Sequence, residues 1–324
     1  MKSTEKFKPW QVEYFDDGVQ LHGNTRAGKG GSHKRSKRGK ICGWSKSSRR
    51  RMRSYLLTHA SAEDSIVFGA SFTIPGPNLS PGEIRKLWKD WSWRCSRAGW
   101  GAVWRLEVQL RGQAHWHCLI SISRCMLRES MVRGRDMVVP VSALGAYGMW
   151  LCEESWHDAL CRLGSREFDP PWEVGNMLIT EVGTLMNLPG AGKHAAVVDI
   201  DRGEGAWKRY LQDHATKAKQ EQIAEGFGRH WGVVGRKRFV EILPESVTDM
   251  DYRDYYRFLR MFQRLCTPQL RDKRPEEKRS PFGRRLGRRS CRGSWGRSVW
   301  FSRPETVEKL VTWATDHELS VSTS

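Results

Sequence analysis

Residues 106–120 read LEVQLRGQAHWHCLI. Two runs rich in strand-forming residues flank a short polar stretch with a glycine, the pattern of a β-hairpin. Residues 102–110 and 114–122 are read as its strands, and Arg-Gly-Gln at 111–113 as its loop. His115 and His117 are two apart, so in a strand both side chains leave one face while Trp116 leaves the other. With a three-residue loop, Leu110 faces Ala114 and Glu107 faces His117, which puts a carboxylate on the histidine face. A Glu/His/His set suits a hard or borderline divalent ion, Mg2+ or Mn2+, with positions left for a substrate oxygen. The plainer alternative is two hydrogen-bonded histidines on a half-buried sheet beside an unrelated glutamate.

Around this hairpin the pattern alternates between strands and helices. IVFGASFTI at 66–74 reads as a strand ended by PGPN. Ser80 and Glu83 form a capping box, Pro81 takes the first helical position, and Ile84, Leu87, Trp88 and Trp91 follow at helical spacing up to Gly99. Helices are read at 142–163, 205–226, 252–265 and 305–319, and strands at 195–200 and 230–243. In the 205–226 helix, at about 100° per residue, Tyr210, His214 and Lys217 fall on one stripe. Leu211, Ala215 and Ala218 fall on another, as a core face does. A tyrosine ordinarily ionises near pH 10. A neighbouring ammonium and a metal-polarised phosphate would make it a usable nucleophile.

The 324 residues carry a formal charge of +19, concentrated in two places. Residues 22–53 hold twelve Lys and Arg and no acid, and residues 271–303 hold twelve against three acids. The rest of the chain is close to neutral. A body with two basic arms points to a polyanionic partner, and the arginines at 49, 50, 51, 284, 285, 288 and 289 (Arg49, Arg50, Arg51, Arg284, Arg285, Arg288, Arg289) are the candidate phosphate contacts. The arms are read as poorly ordered. Eight cysteines without paired CxxC spacing point to reduced thiols in the cytoplasm rather than a disulfide scaffold. Neither a signal peptide nor a membrane span is expected. GNTRAGKG at 23–30 and PGAGKH at 189–194 lack the hydroxyl and the strand context of a nucleotide-binding loop.

Taken in order, SFTIPGP at 71–77, the hairpin with His115-Trp116-His117, and WKRYLQDHATKAKQ at 207–220 followed by GRHWGVVGR resemble the motifs of the HUH endonucleases. Within that superfamily they resemble the rolling-circle replication initiators of small plasmids and single-stranded DNA phages. The resemblance covers roughly residues 61 to 243. It implies an α+β fold, with a central antiparallel sheet of ferredoxin or RRM-like kind and helices packed on it. It implies three consecutive pieces: a basic arm at 1–60, the endonuclease domain at 61–243, and a helical, basic region at 244–324. By the same resemblance Glu107, His115 and His117 hold the metal. Tyr210 attacks a phosphate of single-stranded origin DNA, forms a 5′-phosphotyrosyl link and frees a 3′-hydroxyl primer, and the strands are later rejoined. Lys217 would stabilise charge and His214 would carry a proton. A host helicase and polymerase would be partners, since no helicase module is present. A second motif tyrosine, which some initiators carry four residues on, is replaced here by His214. Tyr55 is the relaxase-like alternative nucleophile. Competing readings are a single-strand transposase or relaxase of the same superfamily, or a noncatalytic nucleic-acid-binding or packaging protein that uses its sixteen tryptophans for base stacking.

Overall fold

The computed structural model describes residues 10–22, 44–74, 79–108, 114–132, 141–162, 196–199, 203–216, 227–272, 298–302 and 304–323. Two compact units emerge, both discontinuous in sequence. The fold is α+β, with antiparallel sheets and packed helices, as the sequence implies.

The central unit, essentially residues 39–52 and 59–241, is built on a five-stranded sheet. Its strands are β4 (Ser65–Thr73), β5 (Gly101–Val108), β6 (Ala114–Ser123), β7 (Ala196–Asp199) and β8 (Trp231–Val234). They lie in the order β7-β4-β6-β5-β8, every neighbour antiparallel. A short pair, β3 (His59–Ser61) with β9 (Phe239–Glu241), stands apart from it. The strand expected over 230–243 is thus two strands. A 3-10 turn at Arg236–Arg238 divides them, entered through Gly235 at φ 55. A Cβ there would fall 1.8 Å from the Trp100 carbonyl oxygen, so only glycine fits this turn.

Alternation sorts the sheet into two faces. Phe68, Phe72, Trp104, Leu106, Trp116 and Ile120 share one, and it is packed under helices α2 (Pro81–Arg97), α3 (Arg124–Val132) and α4 (Val141–Arg162). The centre of that core is aromatic: Trp88 stacks on Trp116 with centroids 4.9 Å apart, and Phe72 stacks on Trp156 at 4.9 Å. α2 begins with the capping box read from the sequence, Ser80 accepting from the Glu83 amide and Glu83 accepting from the Ser80 amide. Gly99, at φ 71, follows its last turn. The opposite face carries the polar residues and is covered by α5 (Gly203–Thr216).

The terminal unit comprises residues 1–38, 53–58 and 242–324. Its five-stranded antiparallel sheet has the order β11-β2-β1-β10-β12. The strands are β1 (Trp10–Phe15), β2 (Gly18–His22), β10 (Ser246–Met250), β11 (Ser298–Phe301) and β12 (Ser320–Thr323). Helices α6 (Tyr252–Asp272) and α7 (Pro304–Asp316) close its core with Phe258, Phe262 and Leu310. Two features differ from the sequence reading. Residues 10–22, inside the segment read as an arm, form a hairpin that pairs with the chain's far end: Trp10 opposite Met250 and Val19 opposite Trp300. Residues 46–53, inside the stretch read as poorly ordered, belong to helix α1 (Lys46–Thr58), capped by Ser45. The compact units therefore do not follow three consecutive pieces. The rest of the first basic run, 23–43, and most of the second, 273–297, lie outside the described residues.

Candidate functional site

The two strands pair in a different register. Val108 faces Ala114, so five residues, 109–113, separate the strands rather than three, and those five lie outside the described residues. Glu107 is opposite His115, and Arg105 is opposite His117. The register differs from the expected one by two residues. A strand repeats its faces every two residues, so Glu107 still shares the histidine face. It meets His117 on the diagonal, with Oε2 3.5 Å from His117 Nε2.

β4 contributes two hydroxyls to the same face. Ser71 pairs with His117 and Thr73 with His115 across the ladder. Ser71 Oγ lies 3.1 Å from His117 Nδ1, and Thr73 Oγ1 lies 2.7 Å from His115 Nδ1. These hydroxyls orient the imidazoles. The signal for them was present: Ser-x-Thr in SFTIPGP has the same two-residue spacing as His-x-His.

α5 lies over this face and brings two more groups. Its seat is Gly69, where a Cβ would fall 1.7 Å from Cε2 of Trp207, so the indole rests on bare backbone. From that seat Tyr210 Oη reaches to 3.3 Å from His117 Nδ1, and the two rings meet edge to face with centroids 5.2 Å apart. One turn on, His214 Nδ1 lies 2.7 Å from Glu107 Oε1. Glu107, His117 and His214 are all buried, and their ligand-type atoms lie within 4.8 Å of one another. A carboxylate this buried needs compensating charge or hydrogen bonds, and two imidazoles supply them. One carboxylate oxygen and two ring nitrogens also form a donor set that fits a divalent cation of borderline hardness.

The sequence-derived residues thus separate. Glu107, His117, His214 and Tyr210 are brought together. His115 stands beside His117, ring centroids 4.4 Å apart, with Thr73 on its Nδ1; the tightest three-ligand set has His214 where the sequence reading placed His115. Lys217, Arg284, Arg285, Arg288 and Arg289 lie outside the described residues. Arg49, Arg50 and Arg51 sit on α1. Tyr55 is carried by the part of α1 that belongs to the terminal unit, not by an element of the histidine sheet.

Arg105 was missed by sequence reasoning. It is 1% exposed on the histidine face, with its guanidinium 4.2 Å from the Trp44 ring centre and bonded to the Leu106 and His230 carbonyls. Burial pulls its pKa down to about 10, against the opposing pull of Glu107. Burial, then the Arg105 charge, holds His230 down at about 4. A cation therefore stands near Glu107 without any metal, and the His230 ring adds no second charge at neutral pH.

The chain is 27% identical over 239 residues to a candidate replication protein of Xylella fastidiosa strain 9a5c, covering 67% of this chain and 65% of that protein. A candidate replication protein of Xylella fastidiosa strain Temecula1 is 25% identical over 237 residues, 67% of this chain and 70% of that one. The chain spans about two-thirds of the length of these relatives. No family model and no solved structure matches it. Among the described residues no helix is long and apolar enough to cross a membrane.

Proposed function

We propose that the chain is a rolling-circle replication initiator that nicks single-stranded origin DNA with Tyr210. The observation that carries this reading is the position of Tyr210 Oη, 3.3 Å from Nδ1 of a histidine whose other nitrogen faces Glu107. A His117 that gives Nε2 to a cation keeps its proton on Nδ1 and offers it to a neighbouring oxygen. Shared between Ser71 Oγ at 3.1 Å and Tyr210 Oη at 3.3 Å, that proton favours the phenolate, the form that attacks.

The phenol releases its proton to solvent, its oxygen forms a bond to phosphorus, and the bond from phosphorus to the 3′ oxygen breaks. The 5′ phosphate stays on Tyr210. The leaving 3′ oxygen takes a proton from solvent and becomes the primer hydroxyl for a polymerase. Attack by a 3′-hydroxyl on the phosphotyrosine reverses these bonds and rejoins strands. Mg2+ or Mn2+ held by Glu107, His117 and His214, with His115 alongside, would supply Lewis-acid stabilisation of the phosphate charge. Lys217 would assist the same charge. Ser71 and Thr73 hold the histidine rings in place. The two basic runs would supply sequence-independent phosphate contacts.

The deciding experiment uses labelled single-stranded origin DNA, Mn2+ and a denaturing gel. Wild type is expected to carry the 5′ end of the strand covalently, and Tyr210→Phe, which keeps the ring and its packing, is expected to carry none. An adduct that maps to Tyr55 would indicate the relaxase-like arrangement. Cleavage without adduct would indicate a hydrolytic nuclease, and binding without cleavage a noncatalytic protein.

A further inference from the structure

Among the residues whose burial is described, nine tryptophans are buried: Trp10, Trp44, Trp88, Trp91, Trp100, Trp104, Trp116, Trp156 and Trp207. They are core residues and offer no ring to a nucleic acid. Among the residues whose burial is described, one tryptophan is exposed, Trp93 at 55%. Its surroundings differ from those of the other nine.

Trp93 lies on α2, whose inward side buries Ile84, Leu87, Trp88, Trp91 and Cys95. At about 100° per residue, Lys86, Lys89, Trp93 and Arg97 fall within about 80° of one another on the outward side. All four are exposed. Arg97 sets its guanidinium 4.6 Å from the Trp93 ring centre. The two acids of the helix are engaged elsewhere: Glu83 in the capping box and Asp90 with Arg94 at 2.6 Å. The stripe therefore presents three cations around an exposed indole, and the carboxylate that borders it, Asp90, is paired with Arg94.

We propose that this stripe is a second contact surface for single-stranded DNA, on the side of the sheet away from the histidine cluster. It rests on the reading of the protein as DNA-binding, but not on the tyrosine chemistry. Charge complementarity selects a polyanion. The indole selects among polyanions, because a base offers a flat ring to stack on it while a phosphate or carboxylate alone does not. The Arg97 guanidinium, already stacked on the ring, extends the platform and can pair with a phosphate. DNA held here runs across the helix layer, not over Tyr210, so the surface would hold strand that has left or not yet entered the cleavage site.

The test uses the full chain and a labelled deoxythymidine homopolymer, with affinity measured across a salt series. Trp93→Ala is expected to weaken binding about tenfold and leave the salt slope unchanged, and Trp93→Phe to recover most of the loss. Lys86→Gln with Lys89→Gln is expected to lower the slope by about 1.4, about 0.7 for each phosphate that the variant no longer neutralises. All four side chains are exposed, so thermal unfolding is expected to match wild type. Unchanged affinity and slope in both variants would overturn the surface while leaving the Tyr210 adduct, and with it the proposed function, intact. Unchanged DNA binding with lost binding to phosphatidylglycerol vesicles would overturn it in favour of a lipid contact. Failure of the wild type to bind the single strand would overturn both readings.

Discussion

The site turns on which side chains share one face and how closely they approach. Glu107, His117 and His214 approach within ligand distance, while His115 is bonded to Thr73. Mn2+ bound to such a set stabilises the folded state by mass action, about 2.7 kcal/mol at a hundredfold excess over Kd. A thermal-shift titration is expected to show this rise in wild type and to lose it in Glu107→Gln and His214→Ala. His115→Ala is expected to retain a larger part of it. Equal loss in His115→Ala and His214→Ala would make the metal set four-membered. Gly69 carries the second residue-scale expectation. Gly69→Ala forces the Trp207 indole off its seat, and overpacking of this kind costs about 1–3 kcal/mol. Tyr210 is three residues further along the same helix, so adduct formation at saturating DNA is expected to fall well beyond the loss of folded protein. The double variant Gly69→Ala/Trp207→Phe, with a smaller ring, is expected to recover part of both.

Among the elements, α4 carries a charge that its position disfavours. Glu153 lies one residue after the fully buried Cys152, and burial raises its carboxyl pKa to about 7. A carboxyl raised in the folded state holds its proton there at a pH where the unfolded chain has released it. Stability is therefore fully present below about pH 4.5 and falls as pH rises toward 7, by on the order of 3 kcal/mol. Glu153→Gln, which keeps the shape and removes the charge, is expected to flatten that fall. Urea unfolding at pH 5 and pH 8 checks it, the variant gaining on wild type only at the higher pH. A parallel decline in both proteins would remove Glu153 as the cause.

For the whole molecule, the N-terminal hairpin depends on the C-terminal end. β1 pairs with β10, and β2 pairs with β11. A two-stranded hairpin is marginal in water by itself. A chain ended at residue 243 is therefore expected to lose order over residues 10–22. Among the described residues the core of the central unit contains none beyond 243, and it is expected to persist. Limited proteolysis would show it, with new cleavage near the N-terminus of the shortened chain and a protected fragment covering the histidine sheet. Protection of residues 10–22 in that chain would mean the hairpin has other support.

Much of this was legible locally. The alternation in LEVQL and AHWHCLI placed Glu107 and both histidines on one face, and a register two residues off the one read left that result intact, because facing depends only on parity. The capping box at Ser80 placed the start of α2 to the residue, and the helical spacing of its apolar residues placed its buried face. β1 and β2 were legible too: Trp10, Val12 and Tyr14 alternate with polar residues, and Asp16-Asp17 before Gly18 makes a two-residue turn. The charge run next to them masks that signal. What local pattern could not reach was distance between segments far apart in the chain. His214 bonds Glu107 across 107 residues, Tyr210 reaches His117 across 93, and Trp207 rests on Gly69. No spacing rule connects such pairs, because each depends on how a helix docks on a sheet. The sequence by itself determined most secondary elements of the central unit, the polar face of the hairpin and the charge of the arms, all consequences of local periodicity and composition. Only the tertiary structure decided that His214 joins Glu107 and His117 and that the two chain ends share one sheet, because packing free energy is gained between segments that the sequence keeps apart.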